Sequence, residues 1–349
     1  MNDRTPGNHH RDWDVELVPE AAEEDLDQNA VAKILEGQRR LQPSVFGRLS
    51  DEKALRALRL VGADGQGVLR PTLAGLLAAG IFPQEFFPKL GVTFTVYPGK
   101  TKAGLENGVR FIDNASFVGS IPELVDQTVQ AVSRNMRTGG LIDGAFRQDL
   151  PDYPPVAVRE AVTNALMHRD YSPQSRTAQV EVNMYADRLE VVNPGGLYGP
   201  VTRDSLGHYG VTGSRNQFLS RILEVTPRST TADQGFVAEN RGTGYAEILH
   251  QLEQKHLPPP GVKDSLTSFR LIFWRRGSDE AKRRTAQGRE HENVIERYLE
   301  ANLSAPVGEL ATASGLSKSG VRRVLNHMID IGIIERTEPL HSPKQRYRL

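Results

Sequence analysis

Arg159-Glu160-Ala161-Val162-Thr163-Asn164-Ala165-Leu166-Met167-His168-Arg169-Asp170 is the stretch on which the reading of this chain turns. Glu160, Asn164 and His168 recur every fourth position among small and apolar residues, so on a helix they stack along one face. Such a stripe can hold an ion: Mg²⁺ takes oxygen ligands, and a carboxylate beside it can act as a general base. The same three residues would also suit a solvated helix face. Pro154 and Pro155 precede them, and proline fits a first helical turn because its missing N–H has no partner there. The helix is expected to begin near Val156.

Two glycine turns follow. Asp187-Arg188-Leu189-Glu190-Val191-Val192-Asn193-Pro194-Gly195-Gly196-Leu197 reads as a strand running into a turn, and Arg241-Gly242-Thr243-Gly244-Tyr245 opens a helical pattern through Ala246, Ile248 and Leu249. Glycines at such places let backbone N–H groups approach phosphates at a helix N-terminus.

In this order the three segments resemble the boxes of the GHKL ATP-binding fold, the family of gyrase-, Hsp90-, MutL- and histidine-kinase-type nucleotide sites. Asn-Ala-Leu-x-His-Arg-Asp-Tyr-Ser, Asp-Arg-Leu-Glu-Val-x-Asn-Pro-Gly-Gly-Leu, Ser214-Arg215-Asn216 and Glu239-Asn240-Arg241-Gly242-Thr243-Gly244 are similar to one branch of it, prokaryotic ATP-binding regulators also labelled helicase-like, which carry a Schlafen/AlbA-like domain in front. The resemblance spans roughly residues 45 to 275. It implies ATP and Mg²⁺ as cofactors, Glu160 as the residue that activates water in hydrolysing members, Asn164 as the metal ligand, and His168, Asn193, Gly195, Gly196, Arg215, Asn216, Gly242, Thr243 and Gly244 as further nucleotide contacts. Asn193 departs from the broader family, which usually has an aspartate against the adenine amino group; an asparagine oxygen can still accept that hydrogen bond. Arg215 could reach a phosphate as a multi-donor group, or stand solvated beside a capping Ser214. An AlbA-like domain is expected ahead of residue 30 and is not read there.

Lys plus Arg and Asp plus Glu both total 43 in 349 residues, so any nucleic-acid contact must come from a local patch rather than a global field. The absence of cysteine excludes disulfides, thiolate zinc sites and a cysteine nucleophile. Met1 to Glu24 is polar and acidic, unlike a signal peptide, and the near-apolar run from Leu73 to Phe82 is half of what a bilayer requires. The expectation is a cytoplasmic protein with no membrane contact.

Taken in order, residues 1–26 read as a flexible acidic leader, whose His9-His10 pair reads as solvated. Residues 27–150 read as an α/β segment: helices over Asp27–Leu41, from Ser50 through Leu60 and from Thr72 to Gly80, a strand over Gly91–Tyr97 with Val109–Ile112 beside it, and an amphipathic helix over Ser120–Met136. Residues 151–275 carry the boxes, with a hairpin of Gln179–Tyr185 and Arg188–Asn193, a Gly/Ser/Thr-rich lid over Pro200–Ala238 with a helix at Phe218–Leu223, and a last strand at Phe269–Trp274. Gly99-Lys100-Thr101 imitates a P-loop, but position 94 is Phe where that motif needs glycine, and His168-Arg169-Asp170 imitates a kinase triplet, but position 175 is Ser instead of a metal-binding Asn.

Residues 276–288 read as a hydrophilic linker, and 289–349 as a winged helix-turn-helix. A helix over Glu292–Asn302 leads into Val307–Ser314, a glycine turn and a second helix from Lys318, with short strands after it. On that second helix Lys318, Arg322, Arg323, Asn326 and His327 oppose a core stripe of Val321, Val324, Leu325 and Met328; Ser317, Lys318, Arg322, Arg323, Asn326, Lys344 and Arg346 form the expected DNA-binding set. Such a domain can also bind protein. The whole predicts an α+β chain: a GHKL (Bergerat-like) α/β sandwich, an α/β segment before it and a winged helix after it. The function expected is an ATP-binding, DNA-binding transcriptional regulator that acts on double-stranded DNA as a homodimer, in which nucleotide state modulates operator binding. Its alternatives are an ATPase, weak or otherwise, acting on nucleic acid or in defence, and a degenerate nucleotide domain used as a dimerisation scaffold.

Overall fold

A computed structural model describes residues 12–103, 108–143, 146–207, 210–229, 235–238, 244–330, 333–339, 342 and 344–349, with the side chains of 141–149 and 330 left out. In chain order the elements are α1 (Gln28–Leu41), α2 (Pro43–Phe46), α3 (Asp51–Leu58), β1 (Val61–Ala63), β2 (Leu69–Pro71), α4 (Leu73–Ala79), β3 (Val92–Val96), β4 (Asp113–Phe117), α5 (Ile121–Asn135), β5 (Thr138–Asp143), β6 (Phe146–Pro151) and α6 (Pro155–His168). There follow β7 (Val180–Met184), β8 (Arg188–Pro194), α7 (Gln217–Leu223), α8 (Gly244–Gln254), β9 (Gly261–Asp264), β10 (Ser268–Trp274), α9 (Asp279–Ala301), α10 (Val307–Ser314), α11 (Lys318–Asp330), β11 (Glu335–Arg336) and β12 (Tyr347–Arg348). The chain is α+β.

Its centre is a six-stranded mixed sheet in the order β4-β3-β7-β8-β10-β9, parallel between β3 and β7 and antiparallel elsewhere. Strand alternation gives it one apolar face, where Val92, Phe94, Val182, Leu189, Val191, Leu271 and Phe273 are buried. The residues between them build a polar network on the other face: Glu190 receives Arg188 Nε at 2.7 Å and Arg270 Nη1 at 3.1 Å, and Glu181 pairs with Lys102. A mostly antiparallel sheet with one face packed and one face polar needs helices on the first only. Helices α5, α6 and α8 supply them, α6 lying between the other two.

The register of β4 differs from the expectation. The strand beside β3 is Asp113–Phe117, not Val109–Ile112, with Val92 opposite Phe117 and Val96 opposite Asp113. It is an edge strand, so its polar Asn114 and Ser116 remain exposed while Phe117 alone is buried. The β5–β6 hairpin was not expected at all.

The leader is folded from Asp12 on. Asp14 is fully buried and its Oδ2 accepts from the N–H groups of Phe218 at 2.9 Å and Leu219 at 3.0 Å, capping the start of α7 from more than 200 residues away. Burial pushes its carboxyl up, against the pull of those two N–H groups. Val18, Ala21 and Leu26 join a single apolar core that continues to Phe273.

The expected linker is also absent. α9 starts at Asp279, capped by Ser278 Oγ, which accepts from Ala281 N at 3.2 Å, and runs 23 residues without a break. Its first turns are polar nearly all round, a pattern helical only where charge pairs support it. Glu280 supplies them, meeting Arg283 and Arg284 at 2.7 Å each, while Arg284 stacks 4.5 Å from the Trp274 ring centre. The far end of α9 enters a second core with Leu310, Val321, Leu325, Met328 and Tyr347, closed by the β11–β12 pair.

Candidate functional site

α6 presents one face to a cavity of about 840 Å³. The buried flank, Ala157, Val158 and Val162, is held by the sheet and by α5, which turns Glu160, Thr163, Asn164 and His168 toward the space. The carbonyls at the end of the helix are satisfied from outside: Tyr171 Oη donates to Leu166 O at 2.8 Å, and Asn216 Nδ2 donates to Met167 O at 2.9 Å and Arg169 O at 2.8 Å. Asn216, expected at the nucleotide, is buried and directs its amide N–H groups to the helix end.

The first glycine turn closes a second wall. Gly195 has φ +95°, and a Cβ there would lie 2.8 Å from Asp170 Cβ; on Gly196 it would lie 2.0 Å from Ser265 O, so neither position admits a side chain. The turn is tied to the segment after α6 and to the β9–β10 turn by Asp170 N to Pro194 O at 2.9 Å, Gly195 N to Thr267 O at 2.8 Å and Leu197 N to Asp264 Oδ1 at 2.8 Å. Arg215 clamps it further: its guanidinium donates to Gly196 O at 2.9 Å, lies 3.5 Å from Asp170 Oδ2 and packs 5.1 Å from the Tyr198 ring centre. Arg215 therefore neither floats in solvent nor lines the cavity; it shapes the rim. Burial raises the Asp170 carboxyl, but Ser172, the Ser175 hydroxyl and Arg215 outweigh that and leave it below the ordinary range.

The start of α8 brings the third segment in. A Cβ on Gly244 would stand 2.8 Å from Asn164 Nδ2 and 3.3 Å from Glu160 Oε2, so the helix head is pressed against both polar residues of α6. Gly242 and Thr243 lie outside the described residues. Of the expected nucleotide contacts, Glu160, Asn164, His168, Asn193, Gly196 and Gly244 line one cavity.

Three polar atoms in its walls have no hydrogen-bond partner among the described residues: Asn193 Oδ1, Thr163 Oγ1 and His168 Nδ1. Each is buried, and leaving such a group unpaired costs about 1–3 kcal/mol. Burial, helped by the charge of Arg215, pulls the His168 imidazole down to about 4, so it is neutral at pH 7 and offers both a donor and an acceptor nitrogen. Apolar side chains such as Ile248, Phe269 and Leu271 complete the lining, the mixture expected of a small-molecule site. Thr163 and Asp170 were missed from sequence. Thr163 hides in an Ala/Val run, and Asp170 acts through the distant Pro194 and Arg215. Among the described residues no group of three or more His, Cys, Asp or Glu could hold a metal. Mg²⁺ does not need one, because it is commonly held by one or two protein oxygens plus substrate phosphates; Asn164 and Glu160 offer such a pair.

On the C-terminal unit, Ser317, Lys318, Arg322, Arg323 and Lys344 are exposed. Ser317 Oγ caps α11 by accepting from Gly320 N at 3.1 Å. Asn326 Oδ1 accepts from Arg336 Nη2 at 2.7 Å, and Arg346 is bound to Ser304 Oγ and O at 2.9 and 2.7 Å, which leaves it to brace the unit. His327, the next α11 residue, contacts Glu253 of α8 and lies 3.5 Å from Glu292 of α9.

Residues 177–273 match a family model described as "Putative ATP-dependent DNA helicase recG C-terminal". The chain contains an ATPase-like domain. The match begins just past α6 and takes in β7, β8, α7, α8, β9 and β10, which are the second and third walls of the cavity. No curated protein matches the chain. Among solved structures, the DIP2311 protein from Corynebacterium diphtheriae is similar with a TM-score of 0.54 at 18% identity, over 90% of this chain and 60% of that one. At that identity the likeness is one of fold, and this chain spans less than two thirds of that protein. No helix among the described residues is long and apolar enough to cross a membrane.

Proposed function

We propose that the protein is an ATP-responsive regulator: the ATPase-like domain, of GHKL type, binds Mg-ATP between α6, the Asn193–Gly196 turn and the head of α8, and the C-terminal unit is a winged helix that reads duplex DNA. The observation that carries the nucleotide part is the convergence of Gly244 on Asn164 and Glu160 at one cavity, whose lining also includes Asn193 and His168. In this reading Asn164 Oδ1 binds Mg²⁺, and the N–H groups at the helix head meet the phosphates. Asn193 Oδ1 accepts from the adenine amino group, where guanine would present another acceptor and be refused. The segment from Pro200 to Ala238 is the lid. Arg322, Arg323 and Lys318 bind DNA phosphates, and the working form is a homodimer in the cytoplasm.

The placement of the Glu160 carboxylate at the same helix head favours a second reading, an ATPase acting on nucleic acid, because it stands where a general base for water attack would stand. Titration of ATP, ADP and GTP with and without Mg²⁺ tests both. Asn164→Ala should abolish the Mg²⁺-dependent part of ATP binding, and Glu160→Gln should keep binding and lose any turnover. Equal ATP affinity in wild type and Asn164→Ala, with both folded by thermal melt, would sink the assignment. Turnover stimulated many-fold by DNA would favour the second reading.

A further inference from the structure

The nucleotide cavity and the C-terminal unit meet on one helix. α8 begins at Gly244 against Asn164, and its second residue, Tyr245, lines the cavity and underlies Gly207, where φ is +81° and a Cβ would come within 2.6 Å of the Tyr245 ring. About two and a half turns farther on, Glu253 contacts Nδ1 of His327 on α11. Nε2 of the same imidazole lies 3.5 Å from Glu292 on α9, so the ring stands between a carboxylate of the ATPase-like domain and one of its own unit. One turn earlier on α11, Arg323 acts on Tyr245: burial pushes that phenol up and the Arg323 charge draws it back.

We infer that this contact is a latch which keeps the C-terminal unit off DNA; the inference rests on α11 being the DNA-reading helix. An α-helix with its side chains is about 10–12 Å across and the major groove about 12 Å wide, so a helix in the groove meets a phosphate wall on each flank. At about 100° per residue around α11, with Val321, Leu325 and Met328 in the core, Arg323 points almost directly away, Asn326 and His327 stand on either side of it and Arg322 lies on the flank beyond Asn326. Glu253 of α8 meets His327 on that outward side, next to Arg323, so its carboxylate stands where a phosphate wall would have to run. Arg322 and Arg323 remain exposed, while the outward side beside them is met by α8 at His327. The unit has its own core, separate from that of the ATPase-like domain. DNA binding and docking therefore exclude each other, and the helix that carries the latch also carries the head of the nucleotide cavity.

The test uses the full chain and a short random-sequence duplex at fixed low salt. Glu253→Arg, and the uncharged Glu253→Gln, should bind about tenfold tighter than wild type, as expected when a docked state favoured about tenfold is removed. Gln254→Arg, which adds the same charge next door without breaking the contact, should bind like wild type. Because the chain has no cysteine, Glu253→Cys with His327→Cys can be bridged by a short bis-maleimide. The bridged protein should form in high yield and lose DNA binding that the unbridged variant retains. Poor bridging, unchanged affinity in both Glu253 variants, or equal affinity of bridged and unbridged protein would overturn the latch while the DNA-binding reading stood. If no form binds duplex, Glu253→Arg included, the DNA-binding reading falls and the latch with it.

Discussion

Gly244→Ala separates a binding role from a structural one, because its two effects have opposite signs. The added methyl would sit 2.8 Å from Asn164 Nδ2, about 0.6 Å inside the 3.4 Å where ordinary contact begins, and 3.3 Å from Glu160 Oε2. The Asn164 side chain can swing away, so the fold tolerates the change, and alanine at the start of α8 is favoured over glycine by up to about 1 kcal/mol. Metal–oxygen distances, by contrast, are held to about 0.2 Å, so an amide displaced by three times that no longer serves as a ligand. The variant should melt at or slightly above the wild-type temperature and bind Mg-ATP about 10- to 100-fold more weakly by calorimetry, with little change when Mg²⁺ is chelated. In an Asn164→Ala background the methyl has nothing to displace, so the second substitution should add almost nothing. Wild-type Mg-ATP affinity in Gly244→Ala, or full additivity with Asn164→Ala, would refute the idea that Gly244 is small for the sake of Asn164.

Other expectations follow from the same geometry. His168 titrates near 4 folded and near 6.5 unfolded, so the unfolded chain takes up the proton first: stability should be complete above pH 6.5 and decline as pH falls toward 4. The urea midpoint of His168→Gln should lose less than that of wild type between pH 7 and 5, and parallel losses would refute the shift. Asn216→Ala removes two buried donors from the end of α6 and should cost about 1–3 kcal/mol in urea unfolding, a cost too large for a surface asparagine. Arg322→Ala with Arg323→Ala should weaken duplex binding broadly and flatten its salt dependence by up to about two counterions; an unchanged salt slope would move the DNA surface elsewhere.

What sequence could and could not show divides along physical lines. α6 was readable almost to the residue because the proline pair, the four-residue polar spacing and the small apolar filler all speak within one helix. The β7–β8 hairpin was readable for the same reason, its alternation and its Ala186-Asp187 turn being local. The errors arise where partners are far apart. Val109–Ile112 looks more strand-like than Asp113–Phe117, yet edge position and the Val92–Phe117 pairing decide the register. The acidic leader reads as solvated until α7 is known to need a cap, which Asp14 supplies. The start of α9 has a linker's composition, and only the Trp274 ring and the Glu280 pairs make it a helix. At the site, Glu160, Asn164 and His168 announce themselves on one helix. The roles of Arg215 and Asn216 depend on Asp170, Gly196 and the α6 carbonyls, which no spacing rule connects.

The continuous α9 helix and the α8–α11 contact turn a tethered pair of units into a mechanically joined one, so the account stands or falls on whether nucleotide and DNA are felt at each other's sites. The direct measurement is a reciprocal titration on one preparation: duplex affinity with and without saturating Mg-ATP, and Mg-ATP affinity with and without saturating duplex. Coupling through α8 predicts that both affinities change by the same factor, about 5- to 150-fold for a coupling of about 1–3 kcal/mol, and that Glu253→Arg reduces that factor toward one. Both ligands binding with neither shifting the other would contradict the account.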